Sequence, residues 1–91
     1  MTAEWDVKKA EANFRKHGVR FSEAIPVLED DFTITIRDDE SDPDELRFVS
    51  IGTGAKNIIL VVVYCYREEE IRIISARLAE AWERLQYEEN R

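Results

Sequence analysis

The chain has one histidine, His17, in the segment Asn13-Phe14-Arg15-Lys16-His17-Gly18-Val19-Arg20-Phe21. Three arginines, Arg67, Arg72 and Arg77, recur at intervals of five in Tyr66-Arg67-Glu68-Glu69-Glu70-Ile71-Arg72-Ile73-Ile74-Ser75-Ala76-Arg77. An imidazole titrates near neutrality and suits general acid–base work. A guanidinium offers a planar fork of donors matched to phosphate oxygens. Together these types can grip a phosphodiester and move a proton beside it. His17 falls where a helix ends, a place that favours the imidazolium and where a histidine also serves simply as a cap. On a regular strand Arg72 and Arg77 point to opposite faces, so at most two of the three arginines are expected to share one face. Salt bridges to Glu68, Glu69 and Glu70 are the plainer use for them. Glu83 and Tyr87, four apart on a helix, are expected to share a face away from Trp82 and Leu85, with Arg84 beside them.

Other chemistries lack residues. A lone histidine with no carboxylate four positions on makes no metal site. Cys65 is the only cysteine and lies inside the apolar run Ile58–Tyr66, where it reads as a small buried hydrophobe. The acidic run Asp38–Glu45 (DDESDPDE) lacks the glycine and terminal glutamate of a calcium loop. There is no phosphate-cradling glycine loop and no nucleophile–histidine–aspartate order, so no cofactor and no metal are expected. The longest apolar run spans nine residues, against the ~20 of a membrane helix. Met1–Asp6 is polar and has neither a basic nor an apolar targeting region, so the protein is expected in the cytoplasm.

Ninety-one residues, 44% hydrophobic and 36% charged, predict a single folded domain over 1–91. A net charge of −7 spread evenly would disfavour a polyanionic partner, but all of it falls in residues 30–45, with eight acids against Arg37. Residues 1–29 balance five acids with five bases, and 46–91 balance seven with seven. The local field around the arginines is what a polyanion meets.

Asp6 is placed to cap a helix over Val7–His17 that Gly18 ends, with Val7, Ala10 and Phe14 as its inner stripe. A second helix is expected over Ser22–Glu29, with Ile25 and Leu28 inward. Phe32–Ile36 and Leu46–Ile51 alternate like half-buried strands, flanking the acidic loop at about 38–45. Ile58–Tyr66 reads as a central strand covered on both faces, Arg67–Glu70 as a turn, and Ile71–Ala76 as a fourth strand. A last helix is expected from Leu78 to Glu89, with Leu78, Ala81, Trp82 and Leu85 inward. The order αα-ββββ-α predicts an α+β fold with a four-stranded, mostly antiparallel sheet covered by helices from both ends of the chain.

These residues resemble the BrnT family, the toxins of BrnT–BrnA type II toxin–antitoxin pairs. The matching stretches are Glu4-Trp5-Asp6, Lys9, Asn13, Lys16-His17-Gly18-Val19, Phe21, Ala24, Arg47-Phe48, Ile51-Gly52, Val61-Val62-Val63-Tyr64, Arg67, Arg72–Arg77, Glu83-Arg84 and Tyr87. The resemblance implies a small RelE-like fold and an endoribonuclease that slows translation without a metal. It also implies a BrnA-like ribbon-helix-helix antitoxin, through which alone operator DNA is met. On that basis His17, Arg67, Arg77 and Tyr87 are expected to be catalytic, and Lys16 and Arg72 to hold RNA. Arg67 and Arg77 would stabilise the phosphoryl charge, and His17 or Tyr87 would transfer the proton. The chain departs from the family where a basic run usually follows Arg77; here Leu78-Ala79-Glu80-Ala81-Trp82 follows. That departure supports a second reading, a catalytically weakened partner that docks the antitoxin and serves operator autoregulation.

Overall fold

The protein's structure, a computed structural model, describes residues 3–40 and 42–91. Met1, Thr2 and Ser41 lie outside the described residues, and with them part of the Met1–Asp6 segment and one position of the acidic loop.

Asp6 has extended backbone, and its carboxylate accepts from the amides of Lys8 (2.8 Å) and Lys9 (3.3 Å). That cap opens α1, Val7–His17. Gly18 closes it in the left-handed region at φ 70°, donating its N–H to Phe14 O. The chain then enters α2, Phe21–Glu29, where the Glu23 carboxylate accepts from Arg20 N–H at 3.1 Å. Phe21, Ala24 and Val27 form the buried stripe of α2, and the helix runs on through Pro26 because that stripe is anchored in the core.

Five strands follow one sheet order, β1-β5-β4-β3-β2. They are β1 (Ala3–Glu4), β2 (Ile34–Asp38), β3 (Arg47–Thr53), β4 (Ile59–Arg67) and β5 (Glu70–Leu78). β2 to β5 form the expected antiparallel meander. The fifth strand is a correction to the expected four: β1 pairs parallel with β5, Ala3 opposite Ile71 and Glu4 opposite Arg72. Two residues are too few to show alternation, and the pairing is distant in sequence, so no local pattern announces it. A 3₁₀ turn at Ala55–Asn57 joins β3 to β4, and α3, Ala81–Asn90, ends the fold.

The central strand β4 is covered on both faces, as its unbroken apolar run demands. Leu60, Val62 and Tyr64 pack with Ile71, Ile73 and Ala76 against Val19, Phe21, Ala24 and Val27 on the α1/α2 side. Val61 packs with Ile51, Ala79 and Tyr87 on the α3 side. No helix among the described residues is long and apolar enough to cross a membrane.

Three helix stripes differ from expectation. In α2 the buried residues are Phe21, Ala24 and Val27, and the expected Ile25 and Leu28 are only partly buried against the same core. In α3 the apolar side chains face out: Leu78, just before the helix, is 54% exposed, Trp82 59% and Leu85 57%. Its buried face is Glu83 and Tyr87. In α1, Val7 and Phe14 are exposed and Asn13 is the buried residue. In α1 and α3 specific polar bonds outweigh generic apolar burial. Asn13 Nδ2 donates to Ala76 O (2.8 Å) and Val19 O (3.0 Å), while its Oδ1 accepts from Ala76 N (3.2 Å). One side chain thus replaces a missing strand along the β5 edge and clamps α1 to it.

Candidate active site

β5 does not keep a regular period. Tyr64 opposes Ile73 while Val63 opposes Ser75, so Ile74 is an extra residue in a bulge. The bulge shifts side-chain parity along the strand. Arg72 lies opposite Cys65 and Arg77 opposite Val61, and Val61 and Cys65 share a face of β4. Arg67, two residues beyond Cys65, has the same parity. All three arginines therefore line one face of the sheet, which corrects the expectation that Arg72 and Arg77 oppose each other. α3 covers only the end of this face where Ile51, Val61 and Ala79 lie. At the other end run Arg47, Cys65 and Arg72, cross-strand neighbours on β3, β4 and β5. Between the two ends lies a strip of Ile36, Val49, Val63 and Ser75.

Each arginine meets a carboxylate from another element. Arg67 Nη2 lies 3.9 Å from Glu45 Oε2, at the end of the acidic loop. Arg72 Nη1 donates to Glu4 Oε1 of β1 at 3.2 Å. Arg77 makes a two-pronged pair with Glu83 of α3: Nη1 to Oε1 at 2.7 Å and Nη2 to Oε2 at 2.9 Å. The Arg67 pair is open to water and weak, and the Arg72 pair is half-buried. The third is different, because the Glu83 side chain is only 5% exposed. Glu83 Oε1 also accepts from Glu80 N–H at 2.8 Å, closing the first turn of α3. The hydrogen bonds from Arg77 hold the Glu83 carboxyl below its ordinary range, and in return raise the guanidinium.

Tyr87 lies beneath α3, 1% exposed. Its hydroxyl donates to Asp30 Oδ2 and pairs with Thr53 Oγ1 at 2.9 Å. Burial and then the Asp30 contact raise the Tyr87 pKa. Burial opposes ionisation of Asp30, but the Thr53 amide, the Tyr87 hydroxyl and the Phe32 amide outweigh it and hold the carboxyl low. As placed, Tyr87 ties α3 to the chain after α2 and has no open path to a substrate.

His17 and Lys16 end α1, where the helix leaves the β5 edge. Asn13 fixes α1 at Ala76, the residue before Arg77, and His17 lies one turn further on the same helix face. His17 is half-buried, and among the described residues its side chain makes no hydrogen bond or ion pair. The structure thus brings Arg67, Arg72 and Arg77 to one face, sets His17 and Lys16 at the sheet edge, and keeps Tyr87 underneath. Cys65 is buried, and burial followed by the Glu45 charge raises its thiol, as suits a packing residue.

Sequence reasoning missed Glu83 as the partner of Arg77, Asn13 as the clamp on β5, and Glu4 and Glu45 as arginine partners. One signal was readable: Glu80-Ala81-Trp82-Glu83 has a glutamate at the third position of a helix, where it folds back on the helix start.

The sequence model of the family described as "Ribonuclease toxin, BrnT, of type II toxin-antitoxin system" matches residues 5–83. Comparison with curated protein sequences finds no match. Among solved structures, the 1.1 Å crystal structure of the Brucella abortus ribonuclease toxin BrnT is similar, with a TM-score of 0.66 and 25% identity. The match covers 88% of this chain and 99% of that one. A match over residues 5–83 spans most of the 91-residue chain, and so the protein belongs to the BrnT family of ribonuclease toxins of type II toxin–antitoxin systems.

Proposed function

We propose that this protein is a metal-independent endoribonuclease that inhibits translation in the cytoplasm by cutting RNA. The gathering of Arg67, Arg72 and Arg77 on one partly open sheet face is the observation that supports this most. Cleavage needs a base to take the 2′-hydroxyl proton, attack of that oxygen on the adjacent phosphorus, and an acid to protonate the leaving 5′-oxygen. Arg77 stabilises the charge gathering on the phosphoryl oxygens, and Arg67, at the other end of the face, holds a neighbouring phosphate. Arg72 and Lys16 hold the flanking backbone. The strip of Val49, Val63 and Ile36 offers an apolar floor for a base between them. Of the two proton-transfer candidates, His17 at the sheet edge takes the role, since the Tyr87 hydroxyl is engaged by Asp30 and Thr53.

The natural partner in this reading is a BrnA-like ribbon-helix-helix antitoxin that covers the toxin and alone contacts operator DNA. The acidic loop beside Arg67 meets basic residues of that antitoxin or keeps bulk RNA away. The test is cleavage of a labelled single-stranded RNA beside the same strand with one 2′-deoxy nucleotide at the cut position. The proposal requires products ending in a 2′,3′-cyclic phosphate and a 5′-hydroxyl, and no cut at the deoxy position. Equal cutting of both strands would refute attack by the 2′-oxygen.

A second reading is favoured by one observation: all three arginines are paired to carboxylates, and α3 is acidic. It makes the chain a weakened antitoxin-docking partner in operator autoregulation. Growth arrest on expression without antitoxin separates the two, because only the nuclease arrests growth.

A further inference from the structure

A guanidinium has five N–H donors in one plane, and the place of three of them in Arg77 is fixed. Nη1 gives one hydrogen to Glu83 Oε1 at 2.7 Å and one to Leu78 O at 3.2 Å. Nη2 gives one hydrogen to Glu83 Oε2 at 2.9 Å. The two that remain are the Nε hydrogen and the second Nη2 hydrogen, and neither has a partner among the described residues. In a planar guanidinium these two lie parallel along the Nε–Nη2 edge, at the spacing that receives two oxygens of one phosphate. The side chain as a whole is 38% exposed.

Glu83 is well built to fix this orientation. It is buried, it holds both terminal nitrogens, and it is pinned by Glu80 N–H at 2.8 Å. The guanidinium therefore cannot spin to offer its Nη1–Nη2 end without breaking a charge-assisted pair. We infer that Glu83 is a positioning residue that locks Arg77 so that its Nε–Nη2 edge, and no other, receives a phosphate of single-stranded RNA. This rests on the nuclease reading for the identity of the ligand. It goes beyond it in naming the edge, the residue that sets it and the consequence for variants.

Two consequences separate positioning from mere helix stability. Arg77→Lys keeps the charge but has no such edge, so it should cleave as poorly as Arg77→Ala. Glu83→Gln keeps the volume and one acceptor, so α3 should stay folded while the guanidinium loosens. Misplacement of a group at the reacting centre costs up to about 100-fold in rate. For Glu83→Gln that loss should appear in kcat, with KM within about two-fold of wild type.

The deciding experiment follows the Arg77 Nε–H by ¹H–¹⁵N NMR while the full chain is titrated with a 2′-O-methyl RNA pentanucleotide, which binds but cannot be cut. The signal is assigned by its loss in Arg77→Lys, and cleavage of the unmodified pentanucleotide is measured in parallel. The expected result is a shift of the Nε–H in wild type that is lost in Glu83→Gln, together with the fall in kcat. An Nε–H that stays put at saturating RNA, or a folded Glu83→Gln that cleaves as wild type does, overturns the inference and leaves the nuclease reading standing. A shift without any cleavage by wild type overturns the nuclease reading and upholds the inference. Absence of both binding and cleavage overturns both.

Discussion

Three carboxylates are the least predictable residues of this protein and the most telling. Glu83 and Asp30 are ionised in sites where burial opposes charge, because each gathers enough donors to win. The capping position of Glu83 was the one local sign; beyond it, what matters is which donors the fold delivers. Glu4 is similar, since its partner Arg72 is 68 positions away. His17 and the arginines, by contrast, were readable by type alone, and the resemblance supplied their expected roles. Tyr87 was read as a group on an open helix face and is instead buried, because its hydroxyl finds Asp30 and Thr53 across the fold. A pH dependence follows. Asp30 has its carboxyl held below the ordinary value of 3.8, so its contribution to stability is fully present above that value and is lost as the pH falls through the lower folded value. Asp30→Asn should lower stability near pH 7 by about 1.5–3 kcal/mol, the range for hydrogen bonds to a charged group. It should also flatten the acid limb. Denaturant unfolding of both proteins from pH 7 to pH 3 checks this; parallel pH profiles would show that Asp30 is not the titrating group.

At the scale of elements, the meander and α1 were readable because alternation, the Asp6 cap and the Gly18 stop are local signals. The bulge at Ile74 was not, since it shows only as a register shift between two strands. It decides the site all the same: were the five-residue spacing run through regular strand, Arg72 and Arg77 would face opposite sides of β5. The turn before β5 is another local departure. Arg67 pairs with Glu70 around Glu68 and Glu69, whose φ values are 51° and 74°. Two-residue hairpins with positive φ at both central positions favour Asn-Gly, and a glutamate held there costs on the order of 1 kcal/mol or more. Replacing Glu68-Glu69 with Asn-Gly should therefore stabilise the fold by about 1–2 kcal/mol. In a domain of this size that amounts to a rise of about 4–16 °C in Tm. Calorimetry tests it, and an unchanged or lower Tm would show that the turn is not strained.

For the molecule as a whole, a net charge of −7 describes the surface poorly. The acids cluster in residues 30–45, most of them at the β2–β3 hairpin, where Asp38 lies opposite Arg47 and Glu45 meets Arg67. Across the sheet, that face runs from Arg47 and Arg67 at one end to Arg77 at the other, where α3 covers it. Such an arrangement can engage a short stretch of RNA even though bulk polyanion is repelled, and local potential decides where it binds. The measurement that tests this most directly is cleavage of a labelled single-stranded RNA by the purified protein in EDTA, beside an Arg77→Ala variant shown to be folded. Cleavage that persists in EDTA and falls about 100–1000-fold in the variant, the usual effect of removing one donor to a developing oxyanion, is the predicted result. Cleavage that stops in EDTA, or that the variant performs as well as wild type, would contradict an arginine-based, metal-independent nuclease.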